Sequence, residues 1–467
     1  MKSFLGKDFL LNNSTAQSLY QHISTTLPIF DFHCHLDPQE IWANKPYENM
    51  YQVWLSGDHY KWRVMRMHGI GEKYITGEAS DWEKFSAWAE TMPYLIGNPL
   101  HHWSHMELET FFGIDKSLSP ESAREIWEEC NERLQTPDFL PRQFIERSNV
   151  AFIGTTDDPV SELKYHQLLK DDPSFKTEVA PTFRPDGALF IERPTFNEWL
   201  KKLEKVSGQD VGSVRDLVGA LRQRVDYFNE QGCRASDHDI AQMIFTKTTQ
   251  EHAEVLFQKR MSGQSLTAEE IIDYRSFLLV ELGRMYAEKQ WVMQLHMGAM
   301  RNNNTNMKQK IGTDTGFDSI GDSQVAEGLS RFLDTLDVTG ELPRTVLYNV
   351  NPNDNAVLSA MMGNFYEEGV PGKVQFGSAW WFNDHIDGME KQMKDLSNVG
   401  LLSHFIGMLT DSRSLLSYTR HDYFRRILCN LLGDWVEKGL APNDFPALEK
   451  MVENIGFYNA KRFFTER

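Results

Sequence analysis

Basic clusters, long apolar runs and paired cysteines are what this 467-residue chain is short of. Lys plus Arg number 48 against 66 Asp plus Glu, a formal charge of −18. With no local basic run to reverse it, that charge repels nucleic acid and anionic lipid, so neither is expected as a partner. No apolar stretch is long enough to span a bilayer. The opening "MKSFLGKDFLLNNSTAQSLY" lacks the uninterrupted apolar core and small-residue cleavage site of a signal peptide. A cytoplasmic protein with no membrane partner is expected. The four cysteines, Cys34, Cys130, Cys233 and Cys429, form no C-x-x-C pair, which excludes a zinc knuckle and predicts free thiols. There is no internal repeat, low-complexity tract or Gly/Ser linker, so residues 1–467 are expected to form one continuous domain.

What is present suits a large core: 41% hydrophobic residues, with 12 tryptophans and 29 phenylalanines. Eight short apolar runs end in polar residues: "PIFDFH" (28–33), "VAFIGTT" (150–156), "TEVAPTFR" (177–184), "GCRASDH" (232–238), "WVMQLH" (291–296), "RTVLYNV" (344–350), "KVQFGSA" (373–379) and "FIGMLTD" (405–411). Helical patterns such as "EEIIDYRSFLLVELGRMYAEKQ" lie between most of them. Eight strands alternating with helices is the plan of an α/β fold, the (β/α)8 TIM barrel. "GCRASDH" is polar for a strand and is placed mainly by spacing. The interval after the first run is too long for one crossover, and 40–145 is expected to be a helical insertion between strands 1 and 2.

Barrel sites gather at the carboxyl ends of the strands. Those ends carry His33, His35, Asp157, Asp158, Arg184, Asp237, His238, His296, Asn349, Asn351, Trp380, Trp381, Asp411 and Arg413. In a strand, Asp31, His33 and His35 would share one face while Phe32 and Cys34 take the other, and Asp411 and Arg413 would likewise share a face. If the eighth strand closes against the first, Asp411 joins His33 and His35 as a His-His-carboxylate metal set with open positions. His296 is a candidate fourth ligand or a substrate-contacting residue. His101 and His105, one helical turn apart in "HHWSHMELE", lack the H-E-x-x-H order and are read as structural. "KQKIGTDTGFDSIGD" matches no phosphate-binding pattern and is read as a long loop after strand five, a candidate lid.

"DFHCHLDP", "GDHYKWR", "HMGAMRNNN", "GSAWWFND" and "LTDSRS" together resemble the uronate isomerase (glucuronate isomerase) family of the amidohydrolase superfamily. The likeness extends over the whole chain, including "KDFLL" and "IGNPLHHW". It implies a metal-dependent hydrolase-type barrel and an aldose–ketose isomerase that interconverts D-glucuronate with D-fructuronate and D-galacturonate with D-tagaturonate. It also implies that His59 and Tyr60 reach from the insertion into the barrel mouth for ring opening and proton transfer. That reaction moves a hydrogen between C2 and C1 and needs a base; Asp411 is the first candidate and Tyr60 its rival. The sugar carboxylate calls for guanidinium, with Arg184, Arg301 and Arg413 as candidates. As neighbours on a strand, Trp380 and Trp381 would point opposite ways, and Trp380 is assigned to the sugar. The expected cofactor is a divalent metal held by His33, His35 and Asp411, zinc first, with manganese and iron compatible. The expected assembly is a homo-oligomer acting on a small sugar acid. The competing readings are a mononuclear zinc amidohydrolase or deaminase acting on a small anionic substrate, and a non-catalytic sugar-binding protein.

Overall fold

A computed structural model describes residues 3–466. Its strands, in chain order, are β1 (Ile29–Asp31), β2 (Val150–Gly154), β3 (Glu178–Ala180), β4 (Thr182–Phe183), β5 (Ala235–Ile240), β6 (Val292–Met297), β7 (Ala299–Met300), β8 (Ser319–Ile320), β9 (Thr345–Asn349) and β10 (Val374–Phe376). All but β7 and β8, which form a small antiparallel pair, belong to two parallel sheets ordered β1-β2-β3 and β10-β9-β6-β5-β4. One chain run links the sheets, because β3 and β4 are separated only by Pro181, which has no N–H for the ladder. Backbone bonds from Thr155 to Ala180 (3.0 Å) and from Asp157 to Thr182 (2.9 Å) carry the wall across that break.

The eighth expected strand, 405–411, departs from prediction. It lies in the wall without forming a regular ladder. Gly407 at φ +76° and Asp411 at φ +46° are off the extended conformation, so strand pairing cannot propagate through them. Ile406 and Leu409 nonetheless pack in the inner core with Phe30 and Phe32. Across the seam, Asp411 N–H donates to the His33 carbonyl (3.2 Å) and His35 N–H to the Ser412 carbonyl (2.9 Å). The result is the (β/α)8 barrel class expected, closed at one seam by irregular chain.

Alternate residues of the strands face inward: Phe30, Phe152, Ala180, Ala235, Val292, Val346 and Tyr348. Several are too small to fill the interior, and aromatic residues near the carboxyl terminus complete it from below. Phe464 stacks on Phe32 (4.8 Å) and Phe457 meets Phe30 (6.3 Å). Arg344, just before β9, donates to the Phe463 carbonyl (2.6 Å), which fixes the C-terminal helix Asn459–Thr465 at the amino ends of the strands.

Between β1 and β2 the chain is helical, with seven α-helices from Pro38–Ala43 to Pro141–Arg147. Among them, His59–Met67 begins at an Asp58 cap that accepts from Tyr60 N–H (2.9 Å) and Lys61 N–H (3.2 Å). The long loop after β6 is built, not open: it contains the helix Thr305–Ile311 and the β7–β8 pair. Arg63 donates to the Gly316 and Asp318 carbonyls and Arg66 to that of Thr315, so the insertion and this loop meet over the barrel mouth.

Candidate active site

β1 ends at Asp31, and the strand alternation expected through His35 therefore stops early. Asp31 turns to Thr410, while His33 and His35 stand on irregular chain that aims both imidazoles at one point. His33 Nε2 lies 3.2 Å and His35 Nε2 3.0 Å from Asp411 Oδ1. Cys34 points away into the outer core, as the alternation suggested.

Burial alone would raise the Asp411 carboxyl, but hydrogen bonds from His33 and His35 hold it well below the usual carboxylate range. Its other oxygen, Oδ2, accepts from the Trp380 indole N–H (2.8 Å). Burial lowers His35 to about 4, leaving it a neutral imidazole at neutral pH. These three side chains offer ligand atoms within 4.8 Å of one another. His33, Asp237 and His296 form a second such group. Asp237 Oδ1 accepts from His296 Nδ1 (2.7 Å), which fixes the tautomer and leaves Nε2 a bare lone pair, buried and without a partner. Two imidazoles and a carboxylate, with a third oriented imidazole alongside, fit a divalent cation with open positions.

The cavity over this cluster has a volume of about 680 Å3 and opens to solvent. His59 and Tyr60 reach it from the insertion; Arg184, Asp186, Asp239, His296 and Arg301 line it from the barrel, and Trp380, Trp381 and Arg413 close its side. Both tryptophans border it, contrary to the expected opposition, because Trp381 adopts φ +51° and is no longer in strand geometry. Trp381 lies parallel to Tyr60 (6.2 Å), and the Arg301 guanidinium sits 4.9 Å from its ring centre.

The three candidate arginines differ. Arg184 donates to Asp186 (2.9 Å) and Asp237 (2.9 Å) and lies 3.8 Å from Asp239; Arg301 donates to Asp239 (2.7 Å). Their charge is already matched by three aspartates. Among the described residues no hydrogen bond or ion pair holds the Arg413 guanidinium, whose stem passes Gly57. A Cβ at this glycine of "GDHYKWR" would only touch the stem, 3.4 Å from Arg413 Cδ.

Asp239 and Asp186 are residues that the sequence reading missed. Asp239 follows Asp237 by two in "SDHD", the same-face spacing within β5 that could have found it. Asp186 carried no comparable signal. His238 faces the other way, buried against Tyr286, outside the cavity. In the insertion, His105 Nδ1 bonds the His101 carbonyl (2.7 Å) and Nε2 accepts from Leu118 N–H (2.9 Å), a structural role.

Fold and site together define an α/β-barrel protein with a candidate metal centre and acid/base groups at the barrel mouth. The family model described as glucuronate isomerase matches residues 1–464, and the chain belongs to that family. It is 53% identical over 464 residues to the uronate isomerase of Halalkalibacterium halodurans, covering 99% of this chain and 98% of that protein. It is 51% identical over 463 residues to the uronate isomerase of Caldanaerobacter subterraneus, covering 99% of each. The crystal structure of uronate isomerase from Thermotoga maritima superposes with a TM-score of 0.94 at 36% identity, covering 99% of this chain and 100% of that one. Among the described residues no helix is long and apolar enough to cross a membrane.

Proposed function

We propose that this protein interconverts D-glucuronate with D-fructuronate, and D-galacturonate with D-tagaturonate, by metal-assisted proton transfer between C2 and C1. The observation that carries the reading is the placement of Asp411, ionised against two histidines, in one cavity with the unpaired Arg413. The family supports it and does not favour the hydrolytic alternative.

Asp411 takes the C2 proton and returns it at C1, its carboxylate oriented by the Trp380 indole. Burial and the neighbouring Asp411 push the Tyr60 phenol well above its ordinary value, so Tyr60 stays protonated and serves as the hydroxyl that exchanges protons with O1 and O2 of the enediol. Burial, then Arg413, lowers His59, which is neutral and able to accept a proton as the ring opens. Arg413 faces the sugar carboxylate; Arg184, Arg301, His296 and Trp380 complete the enclosure. A divalent cation held by His33, His35 and Asp411, zinc first and manganese or iron also suited to the donors, supplies Lewis-acid polarisation of a sugar oxygen when bound. Cytoplasmic residence and homo-oligomeric assembly belong to the same proposal, supported by four free, buried thiols and by exposed Met67, Tyr94 and Ile96 on the insertion.

Incubation with D-glucuronate in deuterium oxide tests it. Ketose formation or deuterium at C2, followed by proton NMR, is expected; an unchanged spectrum with metal-loaded protein would overturn the assignment. Undiminished C2 exchange in Asp411→Asn would remove Asp411 as the carbon base.

A further inference from the structure

The segment bearing Asp411 has no regular strand ladder, and Asp411 sits at φ +46°, in the left-handed region that side chains enter seldom and aspartate more readily than most. The residue before it is gripped on every polar group. Thr410 N–H donates to Asp31 Oδ1 (2.8 Å), its hydroxyl donates to Asp31 Oδ2 (2.7 Å), and its carbonyl accepts from Arg420 (2.9 Å). Asp31 and Thr410 are 0% and 2% exposed, so no water competes for these bonds.

We propose that Asp31 is a positioning residue for the reaction: its two carboxylate oxygens lock Thr410 and thereby aim the Asp411 carboxylate at His33 and His35. The inference rests on the functional reading above and extends it to a group that touches neither metal nor sugar. Asp31 stands two residues before His33 on the same chain. Together with the two backbone bonds across the seam, from Asp411 N–H to the His33 carbonyl and from His35 N–H to the Ser412 carbonyl, this side chain ties the run carrying both imidazoles to the run carrying the carboxylate. A buried carboxylate is a costly way merely to pack β1 against the eighth run; an apolar residue of similar volume would serve stability as well or better. Its neighbours include His421, whose Nε2 lies 3.8 Å from Oδ1, and Arg420, which is engaged by Thr410 and Asp384 (3.4 Å). The bonds that Asp31 accepts at hydrogen-bond distance are those from Thr410.

The test compares Asp31→Ala, Thr410→Val, which deletes the hydroxyl at nearly constant shape, and Thr410→Ser, which keeps it. Each is assayed for zinc affinity by competition with a chelating dye, for melting temperature, and for kcat and KM with D-glucuronate. Asp31→Ala and Thr410→Val are expected to bind zinc about 10–100-fold more weakly and to lose kcat by a similar factor, as for other groups that orient metal ligands. KM should change by less than about threefold, because no sugar contact is removed, and Thr410→Ser should recover most of the loss. A folded Asp31→Ala with parental zinc affinity and kcat would overturn the proposal. If that variant does not fold, equal values for Thr410→Val and Thr410→Ser would overturn it instead. His33→Ala is the control for the functional reading. Should it leave zinc affinity unchanged, the metal assignment fails, while the Val-to-Ser difference in kcat still reports whether Thr410 aims Asp411.

Discussion

Arg413 offers the sharpest separation between binding and scaffolding. Arg184 and Arg301 answer to Asp186, Asp237 and Asp239, whereas Arg413 stands in the same cavity with no partner among the described residues. Replacing Arg413 by Met should therefore weaken substrate binding and leave folding intact. A charge-assisted hydrogen bond is worth about 1.5–3 kcal/mol, and because this guanidinium is exposed the lower part of the range applies, about 1.5–2 kcal/mol. At about 1.4 kcal/mol per decade, kcat/KM for D-glucuronate should fall roughly 10–30-fold, chiefly through KM. Arg184→Met should behave oppositely. It strips the guanidinium from Asp237, which is fully buried and keeps only the His296 bond, and breaking such a pair costs up to about 3–5 kcal/mol of stability. Steady-state kinetics and thermal denaturation of the two variants side by side decide the matter. A parental KM in Arg413→Met, or a larger KM effect with an unchanged melting temperature in Arg184→Met, would refute the assignment of the free cation.

Three further outcomes follow from the same geometry. Trp380→Phe removes the indole donor to Asp411 Oδ2 and should lower kcat about tenfold or more while KM stays near parental; a raised KM with intact kcat would return Trp380 to the role of sugar platform. Gly316→Ala should loosen the loop over the barrel mouth, since φ is +93° and the new Cβ would meet the His59 carbonyl at 2.8 Å; faster hydrogen exchange confined to that loop and to the start of the helix His59–Met67 is the expected signature. Burial raises Asp157 to about 7, so the folded state holds a proton that the unfolded chain gives up near pH 4. The stability this group lends is full below pH 4 and is lost as pH rises to about 7, at no more than about 1.4 kcal/mol per pH unit. Asp157→Asn should gain on the parent by about 2–3 kcal/mol between pH 5 and pH 7 in urea unfolding, and parallel curves would contradict the burial argument.

How much of this was legible in the linear chain differs from element to element. The apolar runs at 150–156, 291–296 and 344–350 announce buried parallel strands because both of their faces are covered, and they correspond to β2, β6 and β9. "GCRASDH" was harder, since its strand, Ala235–Ile240, is made of the polar residues themselves. Asp237 and Asp239 face inward to serve His296 and the arginines, and such pairing cannot be read from propensity.

Composition and order by themselves determined the acidic charge, the free thiols, the alternating α/β plan and the residue types at the strand ends, because these depend on local pattern and chemistry. Tertiary structure decided the rest. Only the closed wall shows that the eighth run is held by Asp31 and two backbone bonds where a regular ladder is missing, and that Trp380 serves Asp411 while Trp381 turns into the cavity. Of three arginines, it alone shows which is uncommitted. Each of these outcomes depends on contacts between residues distant in the chain, where desolvation and charge pairing override both strand alternation and propensity.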